Sequence, residues 1–408
     1  MVLYVPFGAF TGFVTVALTF LATQHGLSIS EGALLNGAQM LTSWLKWLWA
    51  PAVDITLTPK RWYVISTAAS ALGVLGMSIV PLEKETLWLL LLVIAAASLI
   101  NSVVGMSVEA MIASLTPPDE VGRVSAWFQA GNLGGAGLGG GLGLFLFQKL
   151  PASWMSGAIV GALFIACCLA LLPLPFVKAH ERGAGVSAAV KGVAVGLWEM
   201  LKTRAGFLSA LLCVLPVSTG AAQGTLTQAA VAAFWGAGER EVELVQGLFS
   251  GLITAIGCFG GGWLCKHLNP RAAYAFFGLV LAAVASLMAV CPHTINMYVV
   301  WNLIYAFGVG LAYAAFTAVA LSALGKAAAA TGYNIFASLS NFPIWWLGLL
   351  LGTVADKHGP SAMLFTEAAF GVLGVIIFVV ATRAAGQTLL GRTSEQIVST
   401  PVASTPSA

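Results

Sequence analysis

The sequence predicts an all-α membrane protein with twelve transmembrane helices in two six-helix pseudo-repeat halves, and three observations carry that expectation. Of the 408 residues, 59% are hydrophobic and 8% charged, against roughly 25% charged in an ordinary soluble domain. Apolar runs long enough to span a bilayer, about 18 residues or more, recur along almost the whole chain, whereas barrel strands would alternate over about ten. The basic residues gather in alternate breaks between those runs.

Each run is bounded by its polar breaks. The first, near 2–24, ends at His25-Gly26, and the second, near 33–53, closes on Asp54. The third, near 62–81, starts after Lys60-Arg61, and the fourth, near 86–109, closes on Glu109. The fifth, near 123–148, opens at Arg123 behind a Pro-Pro-acid loop, and the sixth, near 154–177, stops at Lys178. A basic stretch from Lys178 to Arg204 follows, containing AVKGVAVGLWEMLK, whose apolar spacing suits a short helix along the membrane surface. The remaining runs lie near 206–230, 243–265, 272–292, 296–322, 332–354 and 360–382. The expected divisions are therefore a half over 1–177, a cytoplasmic linker over 178–205, a second half over 206–382 and a disordered cytoplasmic tail over 383–408.

Orientation follows from the basic residues. Lys60, Arg61, Arg123, Lys178, Arg182, Lys191, Lys202, Arg204, Lys266, Arg271, Lys326, Arg383 and Arg392 fall on one side, and Lys84, Lys149, Arg240 and Lys357 on the other. Both termini are thus expected in the cytoplasm. The first run starts almost at Met1 with no basic leader, which reads as a retained helix rather than a cleaved signal.

Several function classes lose support. The six cysteines sit within or at the ends of apolar runs without CxxC or Cys/His spacing, so they read as packing residues and no metal or other cofactor is expected. A formal charge of +3 is too small to point to nucleic acid. The five histidines lie in loops or at span ends, which disfavours a membrane-embedded enzyme such as an acyltransferase. Gly135 to Gly140 fits G-x-G-x-x-G, yet no strand precedes it, so the dinucleotide reading fails its context test. Gly131, Gly135, Gly139 and Gly143 read better as a four-residue ladder permitting close helix approach. No Walker loop is visible.

WAPAVDITLTPKRWYVI joins the second run to the third as GGWLCKHLNPRAAYAF joins the eighth to the ninth. Asp54 ahead of Lys60 and Arg61 resembles the loop signature of the major facilitator superfamily, in which an acid and basic residues latch the cytoplasmic gate. Lys266 stands where the second copy would carry its acid, followed by Arg271. More narrowly, LKWLWAPAVD and VEAMIASLTPPDEVGRVSAW resemble the second-helix ending and fourth-helix exit of the AmpG-type muropeptide permeases, siderophore importers and acetyl-CoA transporters. Glu109 and Arg123 take the acid and Arg positions of the latter motif. Gly105 replaces an acid usual in that group, and the Arg and Gly-Pro marks of drug antiporters are missing.

The resemblance implies a secondary transporter of the inner membrane, a monomer that binds a small-molecule solute and uses protons as coupling ion. It also implies a path lined by the first, fourth, seventh and tenth helices, which places Asn101, Gln223, Gln228, Asn302 and Tyr305 among the candidate solute contacts. In such a lipid-embedded core, interhelical hydrogen bonding is the competing role, worth about 0.6 kcal/mol per bond. The ladder would meet the glycines of the eighth helix, Gly247, Gly251, Gly257 and Gly261, across the halves and let them slide. Solutes of the siderophore or anhydro-muropeptide class lead, an acyl-CoA or other metabolite follows, and a transport-dead receptor of the same fold is the rival reading.

Three charges stand out against the apolar background. Lys46, eight residues before Asp54, would lie about 12 Å deeper on a continuous helix. It either faces the cavity, to attract an anionic solute or pair with Glu109, or snorkels to the interface beside Trp44, Trp47 and Trp49. Glu109 is either a solvated cap or a buried titratable acid. Glu367, seven residues past Pro360, would lie about 10 Å below the outer surface and is a proton-coupling candidate.

Overall fold

In the computed structural model, residues 1–50, 53, 56–116, 121–175, 191, 195, 198–199, 201–265, 267–324 and 329–386 are described. Among them every regular element is helical. Eight helices among the described residues are long and apolar enough to cross a membrane. Asp54 and Lys266, most of the expected linker and nearly all of the expected tail lie outside the described residues.

The first expected span is α1, Val2–Gln24. Its π-helical turn at Phe13–Leu18 widens the backbone mid-span. Helix α2, Ile29–Leu45, starts earlier than its apolar run because Ser28 and Glu31 form a reciprocal capping box. Its α-helical geometry then stops at Leu45, and Lys46–Leu48 form a 3-10 turn. Helix α3, Pro59–Ile79, and helix α9, Pro270–Val290, begin alike, with Thr58 and Asn269 accepting backbone N–H bonds ahead of a proline. The two loops paired by sequence thus share their capping chemistry.

Helix α4 is Leu87–Leu115, α5 Val121–Lys149 and α6 Ser153–Cys167. After the linker come α7, Arg204–Val214, α8, Glu239–Leu264, and α10, Ile295–Leu324. One continuous run, Ala329–Ala384, carries the last two expected spans. Gly359 divides it with φ 85° and ψ 169° just before Pro360, giving arms α11 (329–358) and α12 (360–384).

The largest departure from the sequence reading is the seventh span. Expected as one helix over 206–230, it stops at Val214 because Pro216 cannot continue it. The chain then runs without helix through Ser218 (φ 57°) and Gly220 (φ 60°) before the short turns Gln223–Leu226 and Ala229–Ala232.

Glycine governs two close approaches. The ladder Gly131, Gly135, Gly139 and Gly143 does face a neighbouring backbone, but the neighbour is α1 rather than α8. A Cβ on Gly135 would stand 2.7 Å from the Val5 carbonyl oxygen, and one on Gly139 would collide with that of Ala9. The contact with α8 lies on another face of α5, where a Cβ on Gly247 would meet the Gly141 Cα at 2.5 Å and Gly251 abuts Leu133. Gly257 and Gly261 face Phe307 and Leu311 of α10 instead. A face that runs every four residues along a helix meets one neighbour, so residues about two positions off the ladder serve the other.

Candidate functional site

Polar side chains gather where the broken seventh segment meets α1, α2, α10 and α12. The π turn of α1 leaves the Thr15 carbonyl able to accept from two hydroxyls, Thr19 at 2.6 Å and Thr227 at 2.7 Å. The Thr19 and Thr227 hydroxyls lie 3.0 Å apart, so either can donate to the other in place of the Thr15 carbonyl. These bonds tie the first six helices to the last six at the level of the break.

Glu367 of α12 enters from the other side. It is 5% exposed. Its Oε1 accepts from the Ala222 backbone N–H at 3.0 Å, and the Tyr305 hydroxyl lies 2.7 Å from Oε1 and 2.9 Å from Oε2. The break at Pro216 frees backbone groups that a helix would have paired, and one of them is satisfied by this carboxyl. The sequence singled out Tyr305 and Glu367 separately, and the fold joins them.

The other candidates divide by their bonding. Asn302 is fully engaged, donating to the Tyr298 carbonyl and accepting from Gln246 at 2.6 Å, so it links α8 and α10. Asn101 donates to the Phe7 carbonyl at 3.3 Å, while its Oδ1 is buried with no hydrogen-bond partner among the described residues. Gln223 is half-buried. Gln228 is fully buried, and neither its Oε1 nor its Nε2 has a partner among the described residues. Gln228 packs on Gly32 of α2, and Asn36, one turn on, packs on Gly224. Asn36 Oδ1 and Gln39 Oε1 are likewise buried and unpartnered. Sequence reading missed Asn36 and Gln39, although their spacing within an apolar helix places both near one face.

Lys46 and Glu109 are not paired. Lys46 is half-buried in the 3-10 turn, and its side chain makes no hydrogen bond or ion pair with a described residue. Glu109 is half-buried, accepts weakly from the Tyr4 hydroxyl at 3.4 Å, and has Oε2 buried without a partner among the described residues. The end of the α-helix at Leu45 also removes the basis for placing Lys46 by helical rise from Asp54. Nor do the tryptophans form one lipid-facing belt. Trp44 stacks on Trp345 of α11 with centroids 5.5 Å apart, and Trp49 donates to Ser102 of α4 at 2.9 Å, leaving Trp47 exposed.

Of the expected gate residues, Lys60 donates to the Leu171 and Leu174 carbonyls after α6, a favourable place for a cation at a helix C-terminus. Arg61 is exposed, and Arg271 is 8% exposed. Arg123 lies in the first turn of α5, with its side chain outside the described residues.

The Major Facilitator Superfamily matches residues 1–344 of the sequence. Solved structures with the same fold include a POT family transporter in complex with a thioalcohol-conjugated peptide (TM-score 0.70, 10% identity, 94% of each chain covered). They also include the nucleoside transporter NupG (TM-score 0.64, 14% identity, 94% of this chain and 97% of that one). A second POT family structure, in complex with 5-aminolevulinic acid, is similar at TM-score 0.71 and 10% identity over 94% of each chain. Comparison with curated protein sequences finds no match.

Proposed function

The chain belongs to the major facilitator superfamily, and from that premise we propose that it imports a bulky, polar, anionic solute of the siderophore or anhydro-muropeptide class across a bacterial inner membrane. It does so by rocking its two six-helix halves about a central site, in symport with protons. The observation that carries this reading is the set of buried amide atoms without a partner among the described residues, both of Gln228 and Oδ1 of Asn36, where the seventh segment packs on α2, with Gln39 Oε1 one turn further along α2. An amide buried without a partner is costly, and a solute rich in donors and acceptors that reaches these atoms removes that cost. Lys46, a cation with no partner among the described residues, supports the anionic character. Low identity to the peptide and nucleoside transporters limits that likeness to fold, so the choice of solute rests on the LKWLWAPAVD and VEAMIASLTPPDEVGRVSAW resemblances.

The test is uptake by purified protein in liposomes, using ferric siderophores, an anhydro-muropeptide, a dipeptide and a nucleoside as labelled solutes. Accumulation of one of the first two, enhanced by acid outside, is expected. Uptake of the dipeptide or nucleoside alone would reassign the substrate class, and specific solute binding without flux would make the chain a receptor of the same fold.

A further inference from the structure

We propose that Glu367 is the proton-carrying residue of the transport cycle, holding its proton while the broken seventh segment packs against it and releasing that proton when the segment moves away. The inference rests on the transporter reading and names a residue on the last helix, outside the four helices that the resemblance assigns to the path.

An ionised carboxylate accepts at both oxygens and donates nothing. Around Glu367 the donors are the Ala222 N–H, the adjacent Ala221 N–H and the Tyr305 hydroxyl, whose single hydrogen serves one oxygen at a time although the hydroxyl lies 2.7 and 2.9 Å from the two. An ionised Glu367 finds a donor for each oxygen but keeps a full charge in a buried site with no cation beside it among the described residues. A neutral one carries no charge and keeps its partners. With the proton on Oε2, that O–H donates to the Tyr305 oxygen, the Tyr305 O–H donates to Oε1, and Ala222 N–H also donates to Oε1. Every polar hydrogen then has an acceptor.

The surroundings provide no compensating charge. From α10 the titratable group facing Glu367 is Tyr305, while Tyr298, two turns away, donates to the Leu226 carbonyl. The seventh segment contributes Pro216, Val217, Ala221 and Ala222, none of which titrates. From α9 the residues beside this part of α12 are Ala282 and Ser286, and the Ser286 hydroxyl is bonded to the Ala282 carbonyl. Glu367 makes no ion pair with any described residue. A charge in such a place is unfavourable unless it is neutralised.

Position supplies the link to movement. Ala222 sits at the end of the non-helical stretch that includes Ser218 and Gly220, the segment in contact with α1 through Thr227. When that segment parts from α10 and α12, Glu367 loses the Ala222 N–H and gains water, to which the Oε2 proton passes. Reprotonation favours the packed arrangement again. The proton count thereby follows the state of the break.

Infrared difference spectra of the reconstituted protein, titrated from acid to alkaline pH, test the assignment without any solute. A protonated-carboxyl band is expected in the wild type, absent in E367Q and shifted in frequency in Y305F, which keeps the acid and removes its hydroxyl partner. The same titration in sodium-free medium should be unchanged. With the solute identified by liposome uptake, E367Q should lose proton-driven accumulation by roughly tenfold or more while solute exchange falls by less than about threefold. A band that persists in E367Q, a titration that follows sodium instead of pH, or proton-driven accumulation retained by E367Q would overturn the assignment with the transporter reading intact. Should E367Q fail to insert, an unshifted band and unshifted titration midpoint in Y305F would overturn it equally. Absence of flux in the wild type strikes the transporter reading, and the spectra then decide the protonation of Glu367 alone.

Discussion

Lys46 shows how little of a side chain's surroundings can be inferred from spacing. The sequence placed it inside a continuous helix with Glu109 as a possible partner, and the structure places it in a 3-10 turn with no bond to Glu109. A cation in this setting remains available to an anionic solute. Lys46→Met is expected to weaken binding of that solute by roughly tenfold, equivalent to about 1.4 kcal/mol, with Lys46→Arg restoring part of it and a neutral analogue indifferent to both. Equal affinities of wild type and Lys46→Met, measured by titration calorimetry on the purified protein, would reduce Lys46 to an interfacial anchor. Glu367 is the opposite case. Its apolar neighbourhood was visible in the sequence, but its partners at Ala222 and Tyr305 lie 145 and 62 positions away, and no local pattern encodes them.

At the scale of elements, the ends of helices were more legible than their continuity. Ser28 with Glu31, Thr58 with Pro59 and Asn269 with Pro270 are local start signals that act as written. The break in the seventh span was signalled by Leu-Pro-Val-Ser-Thr-Gly at 215–220, but hydropathy alone hid it, because an apolar run reads the same whether it is helical or broken. The glycine ladder was recognised while its partner was misplaced, since glycine spacing reports close approach and not which helix approaches. The α5–α8 contact therefore gives a sharper prediction than the ladder. Gly247→Ala puts a methyl within 2.5 Å of the Gly141 Cα, whereas Gly262 has nothing within 4 Å. Overpacking of this kind costs about 1–3 kcal/mol. Gly247→Ala should slow solute exchange severalfold at equal expression, and Gly262→Ala should not. Matching exchange rates in the two variants would mean that α5 and α8 yield there without consequence.

Across the whole molecule, the first six and last six helices are tied together at the end remote from Met1. Asp356 of α11 accepts from the Ile29 and Ser30 backbone N–H groups at 2.7 Å each, an anion placed at the start of α2. Gln24 donates to Glu239 at 3.4 Å nearby, and the bond from the Thr227 hydroxyl to the Thr15 carbonyl lies deeper. Asp356→Ala removes an exposed helix-end interaction of about 0.3–1 kcal/mol, enough to shift a two-state equilibrium by about two- to fivefold. A cysteine at Thr15, in a background without the native cysteines, should then react faster with an impermeant thiol reagent added from that end. An unchanged reaction rate would show that Asp356 does not help to hold that end closed.

The sequence by itself determined the solvent of this protein, its helical class, the places where most spans begin and end, and the family resemblance carried by short charged loops. Those properties follow from hydropathy, proline and capping residues, which act within a few residues of themselves. Tertiary structure decided which helix the Gly131 ladder meets, that Lys46 and Glu109 stand apart, and that Asn36 and Gln228 share one contact between α2 and the seventh segment. It also brought Glu367, Tyr305 and Ala222 together. In a bilayer the lipid and the neighbouring helices are nearly equally apolar, so a pattern that separates water from lipid distinguishes only weakly among protein neighbours. Partner choice then depends on close packing and single hydrogen bonds between segments far apart in the chain, which become definite only when the helices meet.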